Sequence, residues 1–173
     1  MLDLACGDGA LADFLPPGID YRGVDASEAM VAEARRRGRT VELGDLNEYE
    51  PPEPVTATTC FRAIYYARDR RAFFRHVAVY TERKLVFDLN PRQYRVDDVR
   101  ADIEAAGWSR LELRPFFSPQ TRSLPPAVAR WLRALERSPL ARLLLRVRFT
   151  YVISASRRDL PRGITPNRAT APS

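Results

Sequence analysis

Residues 1–10 read MLDLACGDGA, an apolar run that stops at a glycine turn. Leu2 and Leu4 alternate with Asp3 as a short strand does, and Gly7-Asp8-Gly9 then allows the backbone to reverse sharply. Glycine leaves no Cβ between the turn and a ligand, and a following helix points its free N–H groups into the same space. A glycine turn alone is weak evidence for a site. It gains weight from residues 23–30, GVDASEAM, where Asp25 ends a second strand 18 residues after Gly7. An acid at that point is placed to accept hydrogen bonds from the two hydroxyls of a ribose.

The rest of the chain alternates strands and helices. GALADFL reads as a helix stopped by Pro16-Pro17, and IDYRGV as the second strand. SEAMVAEARRRG is a helix with Ser27 as its N-cap, arginines in its last turn and Gly38 just past its end. TVEL is a third strand, EYEPPEP a proline-rich acidic link, and VTATTC a fourth strand rich in β-branched residues. DRRAFFRHVAVY is a helix, KLVFDLN a fifth strand, and VDDVRADIEAAG a helix with Val96, Val99, Ile103 and Ala106 on one face. LELRPFF and FTYVISAS complete the strands as a closing antiparallel pair. This alternation predicts an α/β fold around a buried, mainly parallel sheet.

Between the last two strands lies an insert, about residues 119–146, in which LPPAVARWLRALERS and PLARLLLRV read as two amphipathic helices split by Pro139. The domain is thus expected to span residues 1–156. Residues 157–173, rich in Pro, Arg, Thr and Ala, have almost no apolar periodicity and read as a disordered tail.

Composition narrows the function. With 173 residues, 45% of them hydrophobic, the chain fits one domain. It has neither a long apolar run nor a basic stretch leading into an apolar one, so the expected compartment is the cytoplasm. Two distant cysteines and one histidine give no metal-ligand spacing, and no metal site is expected. The net charge of +6 comes almost wholly from arginine spread over every segment. Clusters at Arg35, Arg36, Arg37, at Arg68, Arg70, Arg71 and near the C-terminus read as solvated surface, so a nucleic-acid partner is not expected.

Gly7 to Ala12 also fits the G-x-G-x-x-G/A pattern of NAD-binding proteins, with Asp25 as the ribose acid. Three features oppose that reading. Asp3, close to the turn, suits a ligand bearing an amine and would repel a pyrophosphate. Asp45 in GDLNE follows the third strand, where it can accept from an adenine amino group. The closing strand pair is the third.

Taken together, LDLACGDG, GVDASEAM, GDLNE, FDLNP and IEAAGW make the chain similar to class I S-adenosylmethionine-dependent methyltransferases, with Ala5 where the first glycine of the family's E/D-x-G-x-G-x-G motif stands. The resemblance spans residues 2 to about 155. It implies a Rossmann-like three-layer sandwich with sheet order 3-2-1-4-5-7-6, the last strand antiparallel. It implies further that Asp3 and the Ala5–Gly9 turn face the methionine end of S-adenosyl-L-methionine, Asp25 the ribose and Asp45 the adenine amino group. Ala26, Met30 and Leu46 would pack on the adenine ring, and Cys60 is placed with the cofactor contacts. The family normally sets helices before its first strand. Here the pocket is expected to be closed by the insert, by a partner, or by residues upstream of Met1.

Methyl transfer works largely by proximity and alignment, and a base is needed only if the acceptor must lose a proton. Candidate substrate-side groups lie in CFRAIYYARD, with Tyr65 and Tyr66 able to bond or stack on an acceptor. No Pro-Cys pair accompanies Cys60, and no Asn-Pro-Pro-aromatic sequence follows the fourth strand, so two nucleobase-methylating designs are not expected. His76, at apolar spacing with Phe73 and Val77, reads as structural. The insert, residues 126–146, interleaves leucines and Trp131 with arginines, suiting either a lid over a small hydrophobic substrate (lipid, quinone or secondary metabolite) or peripheral contact with an anionic membrane. Two alternatives stay open at this point: an NAD-dependent oxidoreductase or epimerase, which Lys84 as the sole lysine disfavours, and a truncated cofactor-binding protein without activity.

Overall fold

The computed structural model describes residues 1–90, 93–116, 125–136, 138 and 150–156. Seven strands among them form one sheet: β1 (Leu2–Leu4), β2 (Arg22–Asp25), β3 (Val41–Leu43), β4 (Val55–Cys60), β5 (Thr81–Leu89), β6 (Arg110–Phe116) and β7 (Thr150–Ser156). Their order is β3-β2-β1-β4-β5-β7-β6. The first five pair in parallel, whereas β7 runs antiparallel to both β5 and β6. Four α-helices accompany them: α1 (Glu28–Arg36), α2 (Arg70–Tyr80), α3 (Val96–Ala105) and α4 (Pro126–Glu136). The fold is the Rossmann-like one expected.

Strand alternation divides the core. Leu2, Leu4 and Val24 face a large cluster with Phe74, Val77, Leu85, Phe87, Val99, Ile103 and Trp108, which α2 and α3 help to build. Val31 and Ala34 of α1 pack with Val41 and Cys6 in a smaller second cluster. Full burial of a Leu or Phe side chain contributes about 1.5–3 kcal/mol, so the larger cluster dominates stability. Ser27 caps α1 by accepting from the Met30 N–H, and Asp69 caps α2 by accepting from the Ala72 N–H at 2.9 Å. His76 is structural: its Nε2 lies 2.9 Å from the Tyr49 carbonyl oxygen, tying α2 to the link before β4.

The structure corrects several local readings. GALADFL forms only a short 3₁₀ turn, Ala10–Phe14, with no buried residue to hold a longer helix. The second strand begins at Arg22, because Ile19 lies exposed after Pro16-Pro17-Gly18. The fifth starts at Thr81 directly from the end of α2, where Thr81 and Thr58 share a buried hydroxyl bond of 2.5 Å. Within the two described arginine clusters, Arg36, Arg37, Arg68, Arg70 and Arg71 are ion-paired, not merely solvated. Arg37 binds Asp8 and Asp13, and Arg70 and Arg71 both bind the buried Asp102 of α3. Acids brought close by the fold explain this; they are remote in sequence. The second helix expected in the insert and residues 157–173 lie outside the described residues.

Candidate functional site

The carboxyl ends of β1, β2, β3 and β4 converge on one cavity of about 690 Å³. A switch in strand order opens it: β1 is followed outward by β2 on one side and β4 on the other, so the loops after them diverge. Ala5, Asp25, Ala26, Ser27 and Met30 line one part, Gly44 to Asn47 another, and Phe61, Arg62, Ala63, Tyr65, Tyr66 and Arg68 the rest.

The turn after β1 is held by short bonds. The Cys6 N–H donates to Val24 O at 3.0 Å and the Gly9 N–H to Cys6 O at 3.1 Å. Ala5, Gly7 and Gly9 all have left-handed φ, 53°, 58° and 71°. Glycine adopts that region freely, whereas for alanine it costs about 1 kcal/mol. The alanine in the first glycine position of the motif is therefore strained. Ala5→Gly is expected to raise stability by about 0.5–1 kcal/mol, read as a higher urea midpoint; an unchanged or lower midpoint would show that the Ala5 methyl contributes more than its φ costs.

Asp25 fastens this turn to the next loop. Its Oδ2 accepts from the Gly7 N–H at 2.7 Å and its Oδ1 from the Ser27 N–H at 2.9 Å. Asp45 lies across the cavity in a second Asx arrangement: Oδ1 accepts from the Asn47 N–H at 2.9 Å and from Asn47 Nδ2 at 2.7 Å, while Oδ2 accepts from Arg68 at 2.6 Å. The bonds from Asn47, with help from Arg68, hold the Asp45 carboxyl below its ordinary range. Asn47 is also a hub: its Oδ1 accepts from the Arg68 N–H and its Nδ2 donates to Tyr66 O at 3.3 Å. These bonds clip the loop after β3 to the loop after β4 and shape the cavity mouth.

Asp3 and Cys60 sit behind the wall. Asp3 is 3% exposed, with Oδ1 accepting from Thr59 at 2.6 Å and Oδ2 from the Tyr21 hydroxyl at 3.0 Å. Burial pushes its carboxyl up to about 6 in spite of both bonds. Cys60 is a fully buried member of the main core cluster, and burial raises its thiol far from any nucleophilic form. Its side chain does not line the cavity; the end of an apolar strand draws it inward.

Of the residues singled out from the sequence, Ala5, Asp25, Ala26, Met30, Asp45, Leu46, Tyr65 and Tyr66 meet on the cavity wall. Gly7 and Gly9 build the adjoining turn. Phe61, Arg62, Asn47 and Arg68 line it as well and were not among them. The Asp-x-Asn spacing of Asp45 and Asn47 is a readable turn signal; Arg62 carries none, since its place depends on a left-handed φ of 54°.

The methyltransferase domain family model matches residues 1–83, the stretch that carries β1 to β4 and every cavity-lining residue. No curated protein matches the sequence. Among solved structures, the chain is similar to a magnesium protoporphyrin IX methyltransferase from Synechocystis PCC 6803 with bound S-adenosylmethionine, at 18% identity and a TM-score of 0.64, covering 91% of this chain and 69% of that one. It is similar too to an S-adenosylmethionine-dependent methyltransferase from Clostridium acetobutylicum (14% identity, TM-score 0.66, 91% of this chain and 83% of that one). A third is phosphoethanolamine N-methyltransferase 2 of Haemonchus contortus (17% identity, TM-score 0.64, 92% of this chain and 48% of that one). At such identities the structures speak for the fold, and the family match speaks for the cofactor half of it. The glycine turn, the acids after β2 and β3 and the antiparallel β7 belong to one pattern, that of the class I methyltransferase fold, and residues 1–83 match the methyltransferase domain family.

Proposed function

We propose that the cavity holds S-adenosylmethionine between the loops after β1, β2 and β3 and delivers its methyl group to a small, mainly hydrophobic acceptor beside the loop after β4. One observation carries this: Asp25, at the end of β2 and bonded to the Gly7 N–H, and Asp45, in the loop after the neighbouring β3, line the same cavity. Asp25 has lone pairs left for ribose hydroxyls, and Asp45 keeps one acceptor position free for an adenine amino group. Ala26, Met30 and Leu46 supply apolar surface between them. Asp3 acts from behind the turn as a buried negative charge matched to the cofactor's ammonium group.

When bound, the cofactor supplies an electrophilic methyl on a sulfonium. The chain's part is to hold the acceptor in line, exclude water and orient it. Tyr65 and Tyr66, with ring centroids 4.4 Å apart, are the substrate-side pair. In α4, Val128 and Trp131 stay exposed, the latter at 64%. That apolar edge suits a lid over a hydrophobic acceptor, or contact with an anionic membrane surface by a protein working in the cytoplasm. Among the described residues no helix is long and apolar enough to cross a membrane.

Calorimetry tests the reading. S-adenosylhomocysteine is expected to bind with micromolar affinity and NAD not to bind; tight NAD binding without the homocysteine adduct would overturn it.

A further inference from the structure

The cavity divides its charges. Asp25 and Asp45 lie on the side of the loops after β2 and β3, and the cation nearest them, Arg68, is engaged by Asp45 and Glu48, each at 2.6 Å. Arg62 stands on the other side, in the loop after β4, and its guanidinium makes no ion pair or hydrogen bond among the described residues. Its backbone is nonetheless fixed with care. φ is 54°, a left-handed value that a long side chain rarely takes, and the Arg62 N–H donates to Asp88 Oδ1 at 2.5 Å. Asp88 comes from the end of β5, where burial raises its carboxyl. A strained residue persists only where its surroundings over-determine it, and such residues gather at ligand sites. Beside it are the exposed rings of Tyr65 and Tyr66, and the positive charge of Arg62 is felt at the Tyr65 hydroxyl.

Resting on the methyltransferase reading above, we propose that the acceptor is a planar aromatic or conjugated carboxylate. Arg62 is its anion anchor, and the Tyr65–Tyr66 pair receives its ring. A guanidinium fork matches a carboxylate in a bidentate pair, and a flat apolar body beside that pair is what adjacent tyrosine rings accommodate. The arrangement also separates signs. The cationic cofactor is drawn to the two acids, and the anionic acceptor to the one cavity-lining arginine among the described residues whose side chain makes no ion pair or hydrogen bond. Acceptor and cofactor thus enter from opposite sides of the cavity.

The test titrates benzoate and its neutral isostere benzamide into the free chain and into its S-adenosylhomocysteine complex. Arg62→Gly is the chosen variant, because glycine takes the left-handed φ without strain and the fold is not put at risk. Benzoate is expected to bind at least about tenfold more tightly than benzamide. Arg62→Gly should remove that preference, Arg62→Lys should keep part of it, and the affinity for S-adenosylhomocysteine should stay within about twofold in both. Equal binding of benzoate and benzamide, no binding of either at millimolar concentration, or an unchanged preference in Arg62→Gly would each overturn the proposal. So would a matching loss of S-adenosylhomocysteine affinity, which would assign Arg62 to the cofactor's own carboxylate. Failure of the wild-type chain to bind S-adenosylhomocysteine counts against the cofactor reading instead, and the benzoate preference of the free chain then still decides the role of Arg62.

Discussion

Asp25→Ala is expected to weaken S-adenosylhomocysteine binding by about 100-fold or more, a loss of nearly 3 kcal/mol. Two contributions add. The carboxylate is the proposed acceptor for the ribose hydroxyls, and charge-assisted hydrogen bonds contribute about 1.5–3 kcal/mol each when their partner is desolvated. It also holds the Gly7 N–H at 2.7 Å and the Ser27 N–H at 2.9 Å, so truncation loosens the turn proposed to face the cofactor. Asp25→Asn keeps one acceptor oxygen and is expected to fall between the two. Asp45→Ala should lose less, about tenfold, because the proposed adenine contact would share that carboxylate with Asn47 and Arg68. Calorimetry on folded variants, with unfolding midpoints measured alongside, decides the matter. An Asp25→Ala affinity within about threefold of wild type would remove Asp25 from the site.

How far the sequence revealed this site depends on how each residue is held. Asp25 and Asp45 were readable because one ends a strand and the other follows one closely, and strands are marked by local pattern: VTATTC and the alternation around Asp3 need no distant partner to be recognised. The sheet followed from the same alternation, with the resemblance supplying its order. Elements held by tertiary contacts were less legible. GALADFL has helix-forming residues, yet nothing covers it, and it stays one short 3₁₀ turn. Arg68 looked like one of a run of surface arginines, and only the fold brings Asp45 and Glu48 to it. Arg62 was hidden for a different reason: its position rests on a carboxylate from β5, 26 residues away. Cys60 went the other way, since being last in a strand says nothing about which face the side chain takes.

Asp3→Asn is expected to stabilise the chain at pH 8 by about 2–3 kcal/mol, raising the unfolding temperature by about 5–10 °C, and to weaken cofactor binding at the same pH. Burial lifts the Asp3 carboxyl from 3.8 to about 6 in the folded chain. The folded state therefore binds this proton more tightly than the unfolded state does. Stability associated with Asp3 is complete below pH 3.8, falls as pH rises toward 6, and is lost in full above it. At pH 8 the wild-type chain folds around an ionised carboxylate that Thr59 and Tyr21 satisfy only in part. Asparagine is nearly the same shape, carries no charge, and can bond both hydroxyls. Its advantage should shrink to nothing near pH 4, where the aspartate is already protonated. Thermal unfolding at the two pH values reads this directly: an equal gain at both, or a loss at pH 8, would refute the assignment. The binding half carries the opposite sign. An ammonium group brought near Asp3 favours its ionised form, so affinity for S-adenosylhomocysteine should drop as pH falls below 6 in the wild type and should lose that dependence in Asp3→Asn. A buried acid that lowers stability at neutral pH would be offset by the proposed attraction for the cofactor's ammonium group, and these two measurements separate that cost from that gain.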